Sequence, residues 1–365
     1  MTRATWAQID LRAIRSNVHR LVERAAPAQL LAVVKADGYG HGALEVGPAA
    51  LEAGAAWLGV ALVEEGVALR DAGVVAPILL LSEPTPDSMP AAVAHGLTPT
   101  VCTHAGIRAL AASGSTISVH LKVDTGMHRI GCRPDQAAEL ASAIDRAPSL
   151  ELQGVWTHCA VADELASSGT EQQLTRFRGA TDAIRARGIR WSITHAANSA
   201  ALFAQPATHF DLVRCGIAIY GVPPAPELDG SFVAPVLSLV SHVSAVREIP
   251  AGDSVSYGWR WSADLPTRIA TVPIGYADGV PRRLGLQGGT VLVRGRERPV
   301  VGVVTMDQLM IDIGEDPVEF GEEVVLLGRQ GDGSITAWDW ARRVDTIAYE
   351  ILTGISARVP RRYTR

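Results

Sequence analysis

Lys35 and Lys122 are the two lysines among the chain's 33 lysine and arginine residues, so lysine is kept at two positions while arginine is used elsewhere. Arginine stays protonated and is a poor nucleophile, whereas a lysine of lowered pKa can form a Schiff base or accept a proton. Both lysines end an apolar run and precede a glycine-containing turn, in LLAVVKADGYGHG and ISVHLKVDTGMHRIG. This pattern predicts a reactive amine at either or both positions. The alternative is that an arginine-rich composition left two lysines by chance.

The glycine-rich segment after Lys35 resembles a phosphate-binding loop, but GYGHG fits neither the P-loop nor the G-x-G-x-x-G fingerprint. A lysine, a tyrosine four residues later at Tyr39 and the strand end CGIAIYG suit a different ligand. They suit an aldehyde cofactor with one phosphate, which backbone N–H groups and hydroxyls would bind. Pyridoxal phosphate is the cofactor that this combination indicates.

The elements that must position these residues form a repeating pattern up to about residue 220. Short apolar runs alternate with alanine-rich amphipathic stretches, which is typical of β/α units around a parallel sheet. The runs are LLAVVKA, AAWLGVAL, PILLLS, LTPTV, ISVHLKV, LQGVWTH, WSITHA and LVRCGIAIYG. They predict an α/β fold with an N-terminal (β/α)8 TIM-like barrel.

In such barrels the active site lies at the carboxyl ends of the strands. Lys35, Arg129, His158, Asn198 and Arg214 all end or closely follow one of the predicted strands. We therefore expect these five polar side chains to lie at one rim of the barrel.

A second, mainly β-strand domain is predicted after the proline-rich and acidic passage GVPPAPELDGSFVAP. Short apolar or alternating runs follow it, separated by AGD, ADG, GG and GDG turns, with one helix near ITAWDWARRVDTIAYEILTGI. The expected domains are a cofactor-binding barrel at 8–228 and a β-rich domain at 235–365. The first few N-terminal residues are expected to belong to the β-rich domain.

Composition excludes several classes of function. With 47% hydrophobic and 19% charged residues the chain is typical of a folded globular protein, and its net charge of -5 argues against nucleic acid or membrane as partners. The amino terminus lacks the apolar core of a signal peptide, so a cytoplasmic protein is expected. The four cysteines are dispersed and predicted to be reduced, and no metal site is indicated.

Eight motifs in order give the chain a strong resemblance to the alanine racemase family. They are AVVKADGYGHG, KVDTGMHRIG, HAANSA, RCGIAIYG, VSYGW, GYADG, TMDQ and YEILTGISARVPR, and they cover nearly the whole sequence. The resemblance implies a pyridoxal-phosphate-binding barrel followed by a β domain. This is the organisation that the apolar runs predict independently.

Two residues resemble the catalytic bases of that family. Lys35 resembles the lysine that binds the cofactor as a Schiff base and removes the α-proton of the D-amino acid. Tyr257, in VSYGW, resembles the base that acts on the L-amino acid from the neighbouring subunit. The resemblance therefore implies a homodimer whose active sites are shared between subunits.

The resemblance also implies how the cofactor is held. Arg214 resembles the arginine that hydrogen-bonds the pyridine nitrogen, which leaves that nitrogen unprotonated and weakens the electron sink. His158 resembles the histidine that links this arginine to the tyrosine base; the alternative is a satisfied core histidine. The residues assigned to the cofactor are Lys35, Tyr39, His158, Asn198, Ser199, Arg214, Gly216, Ile217 and Tyr349.

The substrate carboxylate is expected to meet the Arg129 guanidinium and the backbone of Met306. Lys122 resembles a lysine that is often carbamylated in the family. Carbamylation would replace a cation that repels Arg129 by an anion that holds it in place. The residues that resemble the family's substrate channel are Asp163, Tyr276 and Arg282.

Two positions depart from the family pattern. Thr305 stands where the family often has cysteine, and Cys159 stands where it often has phenylalanine. Thr305 is expected to line the carboxylate pocket and to affect side-chain selectivity, whereas Cys159 is expected to change only the packing.

The predicted function is interconversion of L-alanine and D-alanine, which supplies D-alanine for peptidoglycan. A racemase of another small amino acid, such as serine, is the main alternative. Decarboxylases of basic amino acids share the architecture, but Arg214 and Tyr257 argue against them. A non-catalytic pyridoxal phosphate carrier is a further alternative, and it would lack the β-rich domain.

Overall fold

A computed structural model describes residues 4–365, which form two compact units. The α/β unit comprises Ile14–Gly38 and Gly42–Ala234. The β-rich unit comprises residues 4–13, Tyr39–His41 and Pro235–Arg365. The sequence assigns the first few N-terminal residues to the β-rich domain; of these, residues 1–3 lie outside the described range.

Strand β1 (Trp6–Asp10) belongs to the β-rich unit, and the next eight strands belong to the α/β unit. Within the described residues, each of these eight coincides with one of the apolar runs that predict the barrel. They are β2 (Gln29–Val33), β3 (Trp57–Val60), β4 (Ile78–Leu80), β5 (Thr100–Val101), β6 (Ile117–Lys122), β7 (Leu150–Trp156), β8 (Ile193–His195) and β9 (Leu212–Cys215).

The eight strands pair in parallel as two sheets of four, ordered β4-β3-β2-β9 and β5-β6-β7-β8. Hydrogen bonds join the sheets on both sides. Thr98 pairs with Leu79 in a parallel bridge just before β5, and Asp211 N–H donates to Thr194 O at 3.0 Å between β8 and β9. The strands therefore close into a (β/α)8 barrel, and the predicted fold class is confirmed.

One helix, α1 (Leu11–Ala25), precedes the barrel strands, and further helices connect them. α1 buries Leu11, Ile14, Val18, Leu21 and Ala25, the spacing of one helix face. The helices are α1 (Leu11–Ala25), α2 (Ala43–Glu52), α3 (Val63–Asp71), α4 (Met89–Ala94), α5 (His104–Ala111), α6 (Ala137–Asp145), α7 (Gly169–Arg185) and α8 (Ser199–Ala204), with a short helical turn at Lys35–Tyr39.

Besides β1, the strands of the β-rich unit are β10 (Leu237–His242), β11 (Ala245–Ile249), β12 (Ser254–Val255), β13 (Trp261–Ser262), β14 (Thr267–Val272), β15 (Thr290–Val293), β16 (Arg296–Val301), β17 (Leu309–Asp312), β18 (Glu323–Gln330), β19 (Gly333–Ile335) and β20 (Arg361–Thr364). The main sheet has the order β11-β14-β17-β16-β15-β18-β10-β1-β20, and β19 pairs with β18 beside this order. Its pairs are antiparallel except β1 with β20, and β12 pairs with β13 in a separate two-stranded sheet.

The single helix predicted near residues 335–355 is wrong, because two helices lie there: α9 (Ala337–Val344) and α10 (Ala348–Thr353). Asp345 ends α9 in the left-handed region, with φ 59°, and Thr346 N–H donates to Ala341 O. An aspartate tolerates this conformation better than most residues do. The apolar pattern alone gave no sign of the break.

Among residues 4–365, no helix is long and apolar enough to cross a membrane.

We expect Gly275→Ala to destabilise the β-rich unit. A Cβ at Gly275 would overlap the backbone carbonyls of Thr305 and Met306, which accept hydrogen bonds from Tyr276 and Ala277. Overpacking of this kind costs about 1–3 kcal/mol, which urea unfolding would measure.

Gly179→Ala is the matched control. Gly179 lies within α7 with no neighbouring atom within 4 Å of an added Cβ, so alanine should be neutral or stabilise by ~0.5–1 kcal/mol. Equal unfolding midpoints for the two variants would contradict the close approach at Gly275.

Candidate active site

Polar side chains of the α/β unit gather where its strands end. Lys122 is the last residue of β6, and Arg214 lies in the last half of β9. Lys35 comes two residues after β2, and His158 two residues after β7. Because the strands are parallel, these ends lie at the same rim of the barrel.

The chain turns sharply at Lys35. Ala36, Asp37, Gly38 and Tyr39 all have φ between 50° and 60°, so four consecutive residues are in the left-handed region. Each non-glycine residue held there costs about 1 kcal/mol or more. Glycine suits position 38, because the Cβ of any other residue would lie 3.2 Å from Ala43 N, closer than ordinary van der Waals contact. Such a run persists only where surrounding contacts impose it.

The amine of Lys35 has a lowered pKa. Burial is the main cause, because it disfavours the charged form, and the Arg129 guanidinium lowers the pKa further. The carboxylate of Glu65 acts in the opposite direction. Lys35 therefore loses its proton more readily than an exposed lysine does.

Lys122 is 4% exposed, and its pKa is lowered to about 7. Burial is the largest cause, followed by the positive charges of Arg214 and Arg129. Its Nζ lies 4.2 Å from the ring centre of Trp156, and the Arg214 guanidinium carbon lies 4.6 Å from the same ring. The indole thus contacts two buried basic groups, which the negative face of the ring favours.

A cavity opens beside this cluster. Its lining combines the end of β6 and the segment after it with two residues that follow β7: Lys122, Val123, Asp124, Met127, Arg129, Ile130, Thr157 and His158. The Asp124 carboxylate accepts N–H groups of Gly126, Met127 and His128, which shapes the segment that carries Arg129.

Arg214 is 3% exposed and its hydrogen-bond partners are neutral groups of the described α/β unit. One terminal nitrogen, Nη2, donates to Thr157 O, Ala196 O and His158 Nδ1 at 2.9–3.1 Å. The other, Nη1, donates to His195 Nδ1 at 3.0 Å. Burial lowers the pKa of Arg214 to about 10, so it remains a cation at neutral pH.

A chain of histidines continues from Arg214 into the barrel. His195 Nε2 lies 2.9 Å from His120 Nδ1, and His120 Nε2 lies 3.3 Å from Gln153 Oε1. Arginine can only donate, so His195 Nδ1 must accept, His195 Nε2 must donate and His120 must donate to Gln153. Both histidines satisfy this order only as neutral rings.

The electrostatics agree with this assignment. Burial lowers the pKa of His120 to about 4 and that of His195 well below its ordinary value, and Arg214 adds to both effects. The pKa of His158 is lowered well below its ordinary value for the same two reasons. Since His158 Nδ1 accepts from Arg214, its proton is on Nε2, which is free to donate.

Ser199 and Asn198 occupy the start of α8. Ser199 Oγ accepts from Gly216 N–H at 3.0 Å, beside the 3₁₀ turn Ile217–Tyr220. Asn198 caps the helix by accepting Ala201 N–H, and its amide donates to Cys159 O. Among these residues, the hydroxyl and N–H groups assigned to a phosphate come together at Ser199 and Gly216.

Except for Asp163, the remaining residues assigned from sequence belong to the β-rich unit. The rings of Tyr39 and Tyr349 lie 6.2 Å apart. Tyr257 begins a 3₁₀ turn and is 72% exposed, between Ser256 with φ 69° and Gly258 with φ 72°. Exposed positions are also found for Met306 and Tyr276 in this unit, for Arg282 near them in sequence, and for Asp163 in the α/β unit.

Both departures from the family pattern have defined surroundings. Thr305 Oγ1 donates to Gln308 O and accepts Gln308 N–H, so its hydroxyl closes the turn that carries Met306. Cys159 is buried and its thiol donates to Ala196 O at 3.7 Å. All four cysteines are free. No group of three or more potential metal ligands occurs within residues 4–365.

Sequence reasoning missed four residues of the barrel site: His120, Gln153, Trp156 and His195. A signal for His120 was available, because it lies two residues before Lys122 on β6 and side chains two apart face the same side of a strand. Trp156 and His195 end β7 and β8 and could have been placed at the rim in the same way.

A (β/α)8 barrel with basic side chains at one rim, followed by a β-rich unit, places the protein in a class of two-domain barrel enzymes. Family models of the alanine racemase N-terminal and C-terminal domains match residues 9–224 and 236–363. The alanine racemase of Symbiobacterium thermophilum is 48% identical over 367 residues, covering 99% of this chain and 97% of that protein.

Solved structures of alanine racemases match the whole of this chain. An alanine racemase from D-cycloserine-producing Streptomyces lavendulae has a TM-score of 0.94 at 41% identity, covering 100% of this chain and 98% of that one. One from Bacillus anthracis, with bound L-Ala-P, has a TM-score of 0.93 at 40% identity, covering 100% and 96%. The chain belongs to the alanine racemase family, and it is therefore an enzyme of the isomerase class.

We expect the stability of the folded chain to fall as pH decreases from 7 to 5. His120, His195 and His158 have lowered pKa values in the folded state, so the unfolded chain binds more protons below about pH 6.5. Each histidine contributes a slope of up to about 1.4 kcal/mol per pH unit. Urea unfolding at several pH values would measure the slope.

His120→Gln should reduce this slope, because one of the three proton-binding sites of the unfolded chain is lost. His19→Gln is the matched control, since His19 lies exposed on α1. Identical slopes for the two variants would contradict the neutral histidine chain.

Proposed function

We propose that this chain interconverts L-alanine and D-alanine with pyridoxal phosphate, using Lys35 and Tyr257 as bases on opposite faces of the substrate. Family membership along the full chain supports the reaction. The observation that carries the residue assignment is Arg214, a buried guanidinium at a strand end whose partners are neutral. When bound, the cofactor supplies the electron sink that makes the α-proton of alanine removable.

The side chains of the barrel rim fit this cofactor chemically. Lys35 has a lowered pKa, and an aldehyde reacts with an unprotonated amine. We assign Ser199, Gly216 and Ile217 to the phosphate. Ser199 and Ile217 begin helical turns, where anions bind favourably, and the Gly216 N–H, which donates to Ser199 Oγ, lies beside them. We assign Asn198 to the same rim as the residue that holds Ser199 in place.

Tyr39 and Tyr349 are assigned to the phosphate as hydroxyl donors. Their rings lie 6.2 Å apart within the β-rich unit, which supports a shared ligand. We assign residues 8–228 to the cofactor-binding domain and residues 235–365 to the β-rich domain.

Arg214 is assigned to the cofactor's ring nitrogen. A guanidinium gives up its proton with difficulty, so it donates a hydrogen bond and leaves the nitrogen unprotonated. His158 is assigned to link Arg214 to the tyrosine base, because its Nδ1 accepts from Arg214 and its Nε2 carries the proton. This arrangement stabilises the carbanion less than a protonated ring nitrogen would, and it thereby favours racemisation over side reactions.

The two bases have different surroundings. Lys35 lies at the barrel rim, whereas Tyr257 is 72% exposed on a turn of the β-rich unit. Exposure supports the proposal that the partner subunit's Tyr257 serves this active site in a homodimer. Dimerisation would then be part of catalysis.

Arg129 and the backbone of Met306 are assigned to the substrate carboxylate, and Asp163, Tyr276 and Arg282 to the entrance channel. Lys122 is assigned as carbamylated. Its pKa of about 7 supports this, because a carbamate forms when the unprotonated amine adds to dissolved carbon dioxide and releases a proton. The resulting anion would hold the Arg129 guanidinium and relieve the repulsion between the two cations.

In the cell, the proposed product is D-alanine for peptidoglycan, made in the cytoplasm. Serine is the competing substrate, because a hydroxymethyl group is little larger than a methyl. Thr305 closes the turn before Met306 and is the residue to vary if serine reacts.

The first test is proton NMR in heavy water of the purified protein with pyridoxal phosphate, offered L-alanine, L-serine or L-lysine. We expect the α-proton signal of alanine to disappear with formation of both enantiomers. Comparable inversion of serine would reassign the substrate, an amine product would indicate a decarboxylase, and no exchange would reject racemisation in favour of a carrier.

The two-base assignment predicts directional effects. Tyr257→Phe should keep the cofactor bound and slow proton removal from L-alanine far more than from D-alanine. Lys35→Ala should abolish covalent attachment of the cofactor. Stopped-flow absorbance and isotope exchange in each direction would measure these effects, and equal losses from both enantiomers in Tyr257→Phe would count against the assignment.

A further inference from the structure

Glu65 connects two of the loops that follow neighbouring barrel strands. Its Oε1 accepts Ala36 N–H at 2.6 Å, one residue after Lys35. Its Oε2 accepts the N–H groups of Ala61 and Leu62 at 2.8 and 3.1 Å, at the start of α3. One carboxylate therefore binds three backbone amides from the ends of β2 and β3.

Capping of α3 explains only half of this arrangement. Glu65 is the third residue of the helix, the position from which a glutamate reaches back to the amide before the helix. That contact uses Oε2, and the leucine at the cap offers no side-chain oxygen in return. The bond from Oε1 to Ala36 is additional, and it reaches a turn 29 residues earlier.

The turn that Glu65 contacts is the left-handed run from Ala36 to Tyr39. Two further bonds hold its start: Gly38 N–H donates to Val34 O at 2.8 Å, and Asp37 Oδ1 accepts Ala43 N–H at 2.9 Å. Without such bonds an alanine and an aspartate would leave the left-handed region. The direction of the Lys35 side chain is set at this point of the backbone.

We propose that Glu65 is a positioning residue for Lys35, because its carboxylate fixes the left-handed turn to the start of α3 and keeps a negative charge beside the amine. This role rests on the proposed function of Lys35 as cofactor-binding lysine and base.

The charges around Lys35 make the role measurable. Arg129 approaches from the segment after β6 and lowers the pKa of Lys35, whereas Glu65 approaches from α3 and raises it. Lys35 in turn contributes to the lowered pKa of His158, after β7. Removal of the carboxylate charge should therefore shift the pKa of Lys35 downward.

Competitive labelling of the purified chain, freed of cofactor, tests this shift. A limiting amount of acetic anhydride at a series of pH values, read by mass spectrometry, gives the pKa of each amine. The α-amino group of the chain serves as the internal reference, since it reacts with the same reagent. Glu65→Gln should lower the pKa of Lys35 and leave that of the α-amino group unchanged.

Glu64→Gln is the matched control, since it removes the same charge from the neighbouring, exposed residue of α3. It should change neither pKa. Equal Lys35 pKa values in Glu64→Gln and Glu65→Gln would overturn the proposal.

A double-mutant cycle tests the turn itself. Glycine adopts positive φ without strain, so Ala36→Gly should reduce the need for Glu65. Glu65→Ala should then lower stability less in the Ala36→Gly background than in the parent, while the lost cap of α3 costs the same in both. Additive losses in urea unfolding would overturn the positioning role.

The labelling result does not depend on the reaction. If Glu65→Gln lowers the pKa of Lys35 but the protein exchanges no α-proton, the proposed function is rejected and the interaction between Glu65 and Lys35 is supported. If the protein racemises alanine but the pKa of Lys35 does not change, the proposed function is supported and the positioning role of Glu65 is overturned.

Discussion

Burial of positive charge among neutral acceptors is the constraint on which the barrel site depends. Arg214 can stay in the interior because carbonyl oxygens and imidazole nitrogens accept its N–H groups. Those imidazoles accept only while they are neutral, so the arginine fixes the protonation of its neighbours. The same positive charge acts on Lys122 and helps to bring its pKa to about 7. One buried cation thereby sets the state of several groups, and Trp156 fills the space between two of them with a ring that favours cations.

Backbone conformation is the second determinant of the site, and it acts locally. After Lys35 the backbone enters a left-handed turn that most residues disfavour. Hydrogen bonds from α2, from α3 and from Val34 hold this turn. Strain at a functional residue is maintained only when the scaffold over-determines it. Here the barrel provides that support from the ends of adjacent strands, which explains why a sequence-local reading of KADGYG could not predict the geometry.

The sequence predicted much of the fold, because buried parallel strands are continuous apolar runs that end in polar or glycine-rich segments. All eight barrel strands were found in this way. The break between α9 and α10 was missed, since it depends on the conformation of Asp345 rather than on apolar spacing. The histidine chain was missed for a related reason: His120 and His195 are distant in sequence and become partners only when β6 and β8 flank β7. The strand-end positions of Lys35, His158 and Arg214 were predictable, whereas the network that sets their charges depends on tertiary pairing.

The position of β1 in its sheet has a consequence for biosynthesis. β1 pairs with β10 on one side and with β20 on the other, so its partners are more than 220 residues further along the chain. During translation the eight barrel strands are all complete before β10 has been made, and β1 keeps two unpaired edges throughout that time. Unpaired strand edges favour association with other chains. β1 therefore waits longer during synthesis for both of its partner strands than any strand of the barrel does.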